Sequence, residues 1–348
     1  MPIYKDFNVF TKDVDVNLLK SGDVLAHDFC LRDGAVLVRA QTVLDEDIIA
    51  KLKIFGSKVV SLDITKVYVN SIYSTQALFN DARSGKVVEK NEVTELLYPL
   101  MSEITRTGNA VSILLQLRSD DEYTFQHTLN IGVISGLIAK WLGYSEEEQL
   151  KIAIAGTMHD IGKSQIPLSI LNKPGRLTKE EFEIMKTHSK LSYEIVNQDS
   201  DFDEDIKLGV LQHHERFNGK GYPYGIKGEE ISPYARIVSV ADIYHAMTSK
   251  RVYKDKENPL YVLDEIRKEI DALDPQVVLT FIKNMCQRLC GCKISLSDGR
   301  TGTIINIDEN NLRYPLVKLD DSPYVLDLNK KREITITDIY EPHLYSYR

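Results

Sequence analysis

Apolar and polar residues follow different patterns in different parts of this 348-residue chain. Between about residue 72 and residue 290, apolar residues recur every three or four positions, which is the spacing of helices that bury one face. After Gly291, β-branched and polar residues alternate between short turn sequences, and this pattern predicts a small β unit. The chain is therefore predicted to be a mainly α, multidomain protein.

Residues 1–70 are predicted to form a small α/β module. Two apolar runs flank the sequence Arg32-Asp33-Gly34, which is typical of a hairpin turn. Asp45 can cap a short helix that ends at Gly56, and a further strand follows. Because no residues here have the spacing of a catalytic site, a regulatory or dimerising role stays open.

Residues 71–120 are predicted to form a helical connector with a break near Gly85. The polar residues that interrupt its apolar pattern suit amphipathic helices. The apolar face can pack against the next domain or against a second copy of the chain. The second alternative would make the protein a homodimer through the connector.

Residues 121–290 are predicted to form an almost entirely helical domain, and residues 291–348 the β unit. Ser145 with Glu148, and Thr178 with Glu181, have the capping-box spacing of helix starts. Proline follows a polar cap residue at three later helix starts, at Pro233, Pro259 and Pro275. The helix that begins after Thr178 is expected to continue through His188.

The composition limits the partners that we expect. The formal net charge is −8 at pH 7, so a broad nucleic-acid-binding face is not expected. No apolar run reaches the roughly 18 residues of a membrane span, and the amino-terminal residues lack a secretory-signal pattern. We therefore expect a cytoplasmic protein with neither a membrane nor a nucleic-acid polymer as partner. Its four cysteines would be reduced there.

Histidine is concentrated in the predicted helical domain. Of the eight histidines in the chain, six lie between residues 127 and 245. Imidazole and carboxylate groups are the ligands that hold zinc, iron or manganese in proteins. Seven residues of this stretch are expected to bind metal: His127, His159, Asp160, His188, His213, His214 and Asp242.

These seven residues can hold two divalent ions, with Asp160 as the bridge because a carboxylate has two oxygens. One ion would take His127, His159, Asp160 and Asp242. The other would take Asp160, His188, His213 and His214. Adjacent residues on a helix point about 100° apart, so neighbouring ligands can serve one site only near helix ends, which nearby glycines predict. Since two ions about 3.5–4 Å apart can activate water and clamp a phosphoryl group, the residues predict a two-metal phosphohydrolase.

Two sequence motifs in this stretch resemble those of a known family. Residues 159–163 read HDIGK, and residues 213–223 read HHERFNGKGYP. Together with the spacing from His127 to Asp242 and the following TSKRVYK, they make about residues 121–270 similar to the HD-GYP family of bacterial phosphodiesterases. The resemblance implies an all-helical HD domain with two or three metals, often iron or manganese. It also implies that the substrate is the cyclic dinucleotide c-di-GMP.

The resemblance further implies which residues meet the substrate. Asp160 and Lys163 would be catalytic, and Lys163 is close enough in sequence to Asp160 to reach a phosphate oxygen. Arg251 and Lys254 would face the phosphates of the dinucleotide, as suits Arg and Lys side chains. Tyr222 of the Gly-Tyr-Pro sequence would contact a base or a phosphate.

Three positions depart from the pattern that the resemblance leads us to expect. Tyr123 stands where family members with a third metal have a glutamate, which favours two metals and the linear product pGpG over GMP. His245 stands where aspartate is common, so it is a candidate substrate contact, metal ligand or proton donor. Asn218 replaces an aspartate of the loop and removes a negative charge near the site.

The expected reaction is in-line attack on one phosphorus by a hydroxide that bridges the metals, with Lys163 stabilising the equatorial oxygens. Two alternatives stay open. The protein could hydrolyse another nucleotide, such as cyclic GMP-AMP or a guanosine polyphosphate. It could also be a non-catalytic sensor that binds c-di-GMP.

Overall fold

The chain is mainly helical, with a small strand-containing unit near each end. The computed structural model describes residues 10–31, 35–55, 59–105, 110–117, 124–249 and 257–340. The predicted fold class, a mainly α protein with a helical domain between two small strand-containing units, is confirmed. The predicted turn at Arg32-Asp33-Gly34 and the helix end at Gly56 lie outside the described residues.

The amino-terminal unit combines two antiparallel strand pairs and one helix. Its elements are β1 (Thr11–Asp15), β2 (Phe29–Cys30), β3 (Val36–Val38), α1 (Glu46–Ile54) and β4 (Val59–Asp63). β1 pairs with β4, and β2 pairs with β3. The side chain of Asp45 accepts a hydrogen bond from the backbone N–H of Ile48, so Asp45 caps α1 as the sequence predicts. A hydrophobic cluster of its own, which includes Val14, Leu25 and Leu52, holds the unit together.

Three helices form the connector: α2 (Thr65–Arg83), α3 (Lys90–Thr105) and α4 (Ala110–Gln116). Gly85 lies in the break between α2 and α3 with a φ of +80°, a conformation that glycine adopts without the steric clash of a side chain. The buried faces of α2 and α3 join the hydrophobic core of the helical domain.

The helical domain has clear helix boundaries. Its helices are α5 (Thr124–Trp141), α6 (Glu146–Met158), α7 (Leu168–Leu171), α8 (Lys179–Lys186), α9 (His188–Val196), α10 (Glu204–Gln212), α11 (Pro233–Thr248), α12 (Pro259–Lys268) and α13 (Pro275–Leu289). Thr178 and Glu181 form the predicted capping box at α8. The expectation of one helix from Thr178 through His188 is wrong, because α8 ends at Lys186 and α9 begins at His188.

The carboxyl-terminal unit is a five-stranded antiparallel sheet in the order β8-β7-β6-β5-β9. The strands are β5 (Lys293–Leu296), β6 (Thr301–Asn306), β7 (Leu316–Leu319), β8 (Val325–Asp327) and β9 (Ile336–Tyr340). Ile294 and Val317 from the sheet share one hydrophobic core with Phe281 of α13. Within the described residues, no helix is long and apolar enough to cross a membrane.

Candidate active site

The ends of three helices bring five of the seven candidate ligands together, whereas His127 lies within α5 and Asp242 within α11. α6 ends just before His159, and Asp160 leads into a short 3₁₀ turn, Ile161–Gln165. α10 ends just before His213, and α9 begins at His188. Since the chain leaves the helical geometry at these points, adjacent side chains can point towards one site, as the sequence predicts.

His127, His159 and Asp242 form a first group, in which one potential ligand atom of each lies within 4.8 Å of the others. Nε2 of His127 lies 3.5 Å from Oδ1 of Asp242. Burial alone would raise the pKa of Asp242, but His127 and His159 outweigh it and hold that pKa well below its ordinary value. Asp242 is therefore a carboxylate at neutral pH, the form that binds metal.

His188, His213 and His214 form a second group, also within 4.8 Å of one another. The Nε2 atoms of His188 and His213 are 3.3 Å apart. Burial lowers the pKa of His213 well below its ordinary value and lowers the pKa of His214 to about 3. Both imidazoles are therefore neutral, as metal binding requires.

Asp160 lies between the two groups. Its Oδ2 lies 3.2 Å from Nε2 of His159, and its Oδ1 lies 3.3 Å from Nε2 of His188. Burial would raise the pKa of Asp160, but His159, Lys163 and His188 hold it well below its ordinary value. The two oxygens of one carboxylate thus face histidines of different groups.

Backbone carbonyls hold three of the histidine rings in place. Nδ1 of His159 lies 2.6 Å from the backbone carbonyl oxygen of the residue three positions earlier. The same distance is 2.7 Å for His188 and 2.7 Å for His213. A ring that donates from Nδ1 leaves Nε2 as the free lone pair. This contact therefore selects the tautomer and ring orientation that a metal ligand needs.

The site fits a divalent metal centre. Among the described residues, Oδ1 of Asp160 is a buried atom without a hydrogen-bond partner. A buried carboxylate oxygen without a partner is unfavourable, and a metal ion would provide one. Imidazole nitrogens together with carboxylate oxygens also suit zinc, iron or manganese. The clustered side chains could therefore hold metal ions.

Comparison with known proteins places this site in a family. Residues 109–277 match the family model of the HD domain. The cyclic di-GMP phosphodiesterase PA4108 of Pseudomonas aeruginosa is 32% identical over 243 residues, which cover 70% of this chain and 59% of that protein. A cyclic di-GMP phosphodiesterase of Thermotoga maritima is 43% identical over 171 residues, which cover 47% of this chain and 45% of that protein. The chain therefore spans less than two thirds of the length of either relative.

A solved structure supports the same assignment at the level of the fold. Bd1817, a HDG"Y"P protein from Bdellovibrio bacteriovorus, aligns with 78% of this chain and 97% of its own, with a TM-score of 0.52 and 14% identity. The HDIGK and HHERFNGKGYP motifs lie at the clustered ligands.

The chain contains an HD domain and resembles the HD-GYP family.

The Gly-Tyr-Pro loop that gives the HD-GYP family its name lies beside the second group. The centroid of the Tyr222 ring lies 4.6 Å from that of His214 and 6.5 Å from that of His188. Burial raises the pKa of Tyr222, so its hydroxyl stays protonated at neutral pH. Tyr222 therefore lies directly beside the second group of histidines.

Glu215 is part of the HD-GYP motif, but the sequence pattern predicts no role for it. Its side chain is buried, and its Oε1 accepts hydrogen bonds from the backbone N–H groups of Tyr224, at 2.7 Å, and Gly225, at 3.1 Å. These charge-assisted bonds tie the far end of the Gly-Tyr-Pro loop to the residue that follows His214. Its place directly after two ligand histidines was the available signal.

Lys163 lies at the edge of the HD-GYP site. Its Nζ is 2.5 Å from Oδ2 of Asp160, and its side chain is 25% exposed. The ammonium group can therefore reach both the ligand cluster and solvent.

His245, the position where HD-GYP proteins commonly have aspartate, is buried behind a ligand. Its Nδ1 lies 2.9 Å from Nδ1 of His127, whereas Nε2 of His127 faces Asp242. His245 and Asp242 thus contact opposite edges of the His127 ring. Nε2 of His245 lies 3.2 Å from the carbonyl oxygen of Leu117. This position supports a role in orienting His127 more than a contact with substrate.

The remaining expectations concern the edge of the site. Tyr123, Arg251 and Lys254 lie outside the described residues. Asn218 is exposed, and its side-chain oxygen accepts a hydrogen bond from the backbone N–H of Lys220 at 3.1 Å. Asn218 therefore stabilises the turn of the loop.

Proposed function

We propose that this protein is a metal-dependent phosphodiesterase that hydrolyses c-di-GMP to the linear dinucleotide pGpG. The proposal rests chiefly on Asp160, whose two oxygens face histidines of two ligand groups. One of these oxygens, Oδ1, is buried and has no hydrogen-bond partner among the described residues. That arrangement suits a carboxylate shared by two metal ions. The names of the relatives supply the substrate class.

The metals would be held by the seven residues expected from the sequence, in the two groups of three with Asp160 between them. When bound, iron or manganese supplies activation of water and neutralisation of phosphoryl charge. Asp160 and Asp242 contribute the negative charge that fixes divalent ions in this site. The neutral forms of His213 and His214 leave their lone pairs available for the same purpose.

Other residues act on the substrate. Lys163 is placed to neutralise charge that develops on a phosphoryl oxygen during in-line displacement. Tyr222 shields the second group on one side, and its protonated hydroxyl can donate a hydrogen bond. Arg251 and Lys254 are proposed to hold the phosphates, as the family pattern implies.

A panel of nucleotides tests the proposal. The purified protein, loaded anaerobically with Fe²⁺ or Mn²⁺, is incubated with c-di-GMP, cyclic GMP-AMP, c-di-AMP and guanosine tetraphosphate, and the products are separated by mass-resolved chromatography. We expect c-di-GMP to be cleaved fastest, with pGpG as the product and with loss of turnover after chelation. Faster cleavage of another nucleotide would refute the substrate, and tight binding without any product would identify a sensor.

A further inference from the structure

A second set of side chains flanks the ligand cluster, on helix α8. Phe182 and Lys186 lie four residues apart, so they occupy the same face of successive turns. Nζ of Lys186 lies 5.5 Å from the centroid of the Phe182 ring and 5.7 Å from the centroid of the Tyr222 ring. Tyr222 in turn lies against His214. The ammonium of Lys186 therefore lies between the Phe182 ring and the candidate metal site.

Phe182 exposes much of its ring to solvent. It is 48% exposed, and α8 contains no buried residue. A single exposed aromatic side chain is common on protein surfaces. Phe182 differs from such a residue because the ammonium of Lys186 lies near both its ring and the ring of Tyr222. A flat apolar surface and a hydrogen-bond donor therefore lie side by side.

We propose that Phe182 and Lys186 form a purine subsite that holds one guanine of the cyclic dinucleotide, which rests on the function proposed above. The base stacks on the exposed ring of Phe182, beside the ammonium of Lys186, as bases stack on aromatic side chains in other nucleotide-binding proteins. The ammonium of Lys186 donates to O6 and N7, the acceptor pair that guanine presents. Adenine carries an amino donor in place of O6, so this subsite favours guanine.

The ion pair of Lys186 does not prevent this contact. Nζ of Lys186 lies 2.6 Å from Oε1 of Glu183, whose side chain is 67% exposed. Because the Glu183 end of this pair is exposed to solvent, the pair contributes little to stability, and the ammonium of Lys186 can instead donate to the edge of a guanine. The carboxylate of Glu183 can then accept from the N2 amino group of guanine, which adenine lacks.

Substitutions of Phe182 test the stacking contact. Phe182→Ala should raise KM for c-di-GMP on the order of tenfold, with kcat and metal content unchanged. Phe182→Tyr keeps the ring and should restore KM. Ile184→Ala is the matched control, because Ile184 is an exposed apolar residue of the same helix but lies about 200° around its axis from Phe182. An unchanged KM in Phe182→Ala, or an equal rise in Ile184→Ala, would refute the subsite.

Lys186 tests the choice of base. In the wild-type protein we expect a higher kcat/KM for c-di-GMP than for c-di-AMP. Lys186→Ala should lower the ratio of these two kcat/KM values about tenfold. An equal loss on both dinucleotides would refute the guanine contact and assign Lys186 to a phosphate.

The failure of the subsite is distinguishable from failure of the proposed function. If the metal-loaded wild-type protein cleaves no c-di-GMP, the phosphodiesterase proposal fails. Calorimetric titration of c-di-GMP into the same protein then tests the subsite alone. Weaker binding by Phe182→Ala than by Ile184→Ala would support it, and equal affinities would refute it.

Discussion

Asp160 is the residue on which the proposed two-metal site depends most. Of the seven candidate ligands, it is the one whose two oxygens lie 3.2 Å and 3.3 Å from histidines of different groups. A single carboxylate can therefore fix the position of both metals relative to each other. Without the bridge, each group keeps only its own three side chains.

The substitution Asp160→Asn should lower both metal content and turnover, because an amide has one oxygen and no negative charge. We expect the metal-to-protein ratio to fall and kcat to drop on the order of 100-fold or more. Elemental analysis by mass spectrometry and the c-di-GMP assay measure the two effects. Lys163→Ala is the matched control: it removes the charge paired with Asp160, and should slow turnover about 100-fold with the metals retained. Wild-type metal content in Asp160→Asn would refute the bridge, and loss of metal in Lys163→Ala would refute the role of Lys163.

His245 should affect metal binding before it affects the substrate. If His127 binds metal through Nε2, its Nδ1–H donates to Nδ1 of His245, 2.9 Å away. Removal of this acceptor in His245→Ala should weaken metal affinity about 10–100-fold and leave KM for c-di-GMP unchanged under metal saturation. His245→Asp supplies another acceptor and should restore the affinity. A rise in KM with normal metal affinity would instead make His245 a substrate contact.

At the scale of elements, helix ends were predictable and one helix break was not. Nearby glycines predicted the ends that carry His159 and His213, and prolines predicted the starts of α11, α12 and α13. The break between α8 and α9 has no such residue: Thr187 separates two segments whose apolar spacing continues across it. α9 packs against the 3₁₀ turn that follows Asp160, and apolar spacing within one segment does not encode such a contact between distant segments.

The role of Glu215 was also beyond the sequence pattern. A glutamate next to two histidines reads as another candidate ligand or as an exposed charge. The structure buries it and directs its Oε1 to the backbone of the Gly-Tyr-Pro loop. That contact depends on how the loop folds back, which residue spacing does not encode.

Gly221 tests the requirement for close packing in this loop. A Cβ at this position would lie 2.4 Å from the backbone nitrogen of Arg216 and 2.5 Å from the carbonyl oxygen of His214. Gly221→Ala must therefore displace the loop and with it Tyr222 and His214. We expect kcat/KM to fall by about 100-fold, as measured with c-di-GMP. Lys220→Ala, at an exposed neighbouring position, should retain activity, and normal activity in Gly221→Ala would refute the close packing.

At the scale of the whole molecule, two hydrophobic clusters organise the chain. The amino-terminal unit has its own cluster, whereas the connector, the helical domain and the carboxyl-terminal sheet share the other. Lys12 of β1 is fully buried, and its ammonium meets the carboxylate of Glu103 in α3. This ion pair links the amino-terminal unit to the connector.

The sequence predicted the parts of this organisation but not how they join. Apart from the break between α8 and α9, the predicted elements follow from local apolar spacing, caps and turns, which one short segment contains. The assignment of Ile294 and Ile339 to the core of the helical domain depends on contacts between distant segments, and periodicity carries no information about them. The residue types alone predicted a metal site. The expected substrate came from the resemblance of the motifs to a known family.

The central claim is that the seven residues hold two metals bridged by Asp160. Anomalous diffraction from crystals of the metal-loaded protein, collected at the iron or manganese edge, tests it most directly. We predict two peaks about 3.5–4 Å apart, one bounded by His127, His159 and Asp242 and the other by His188, His213 and His214, with Asp160 between them. A single peak, or peaks away from these side chains, would contradict the account.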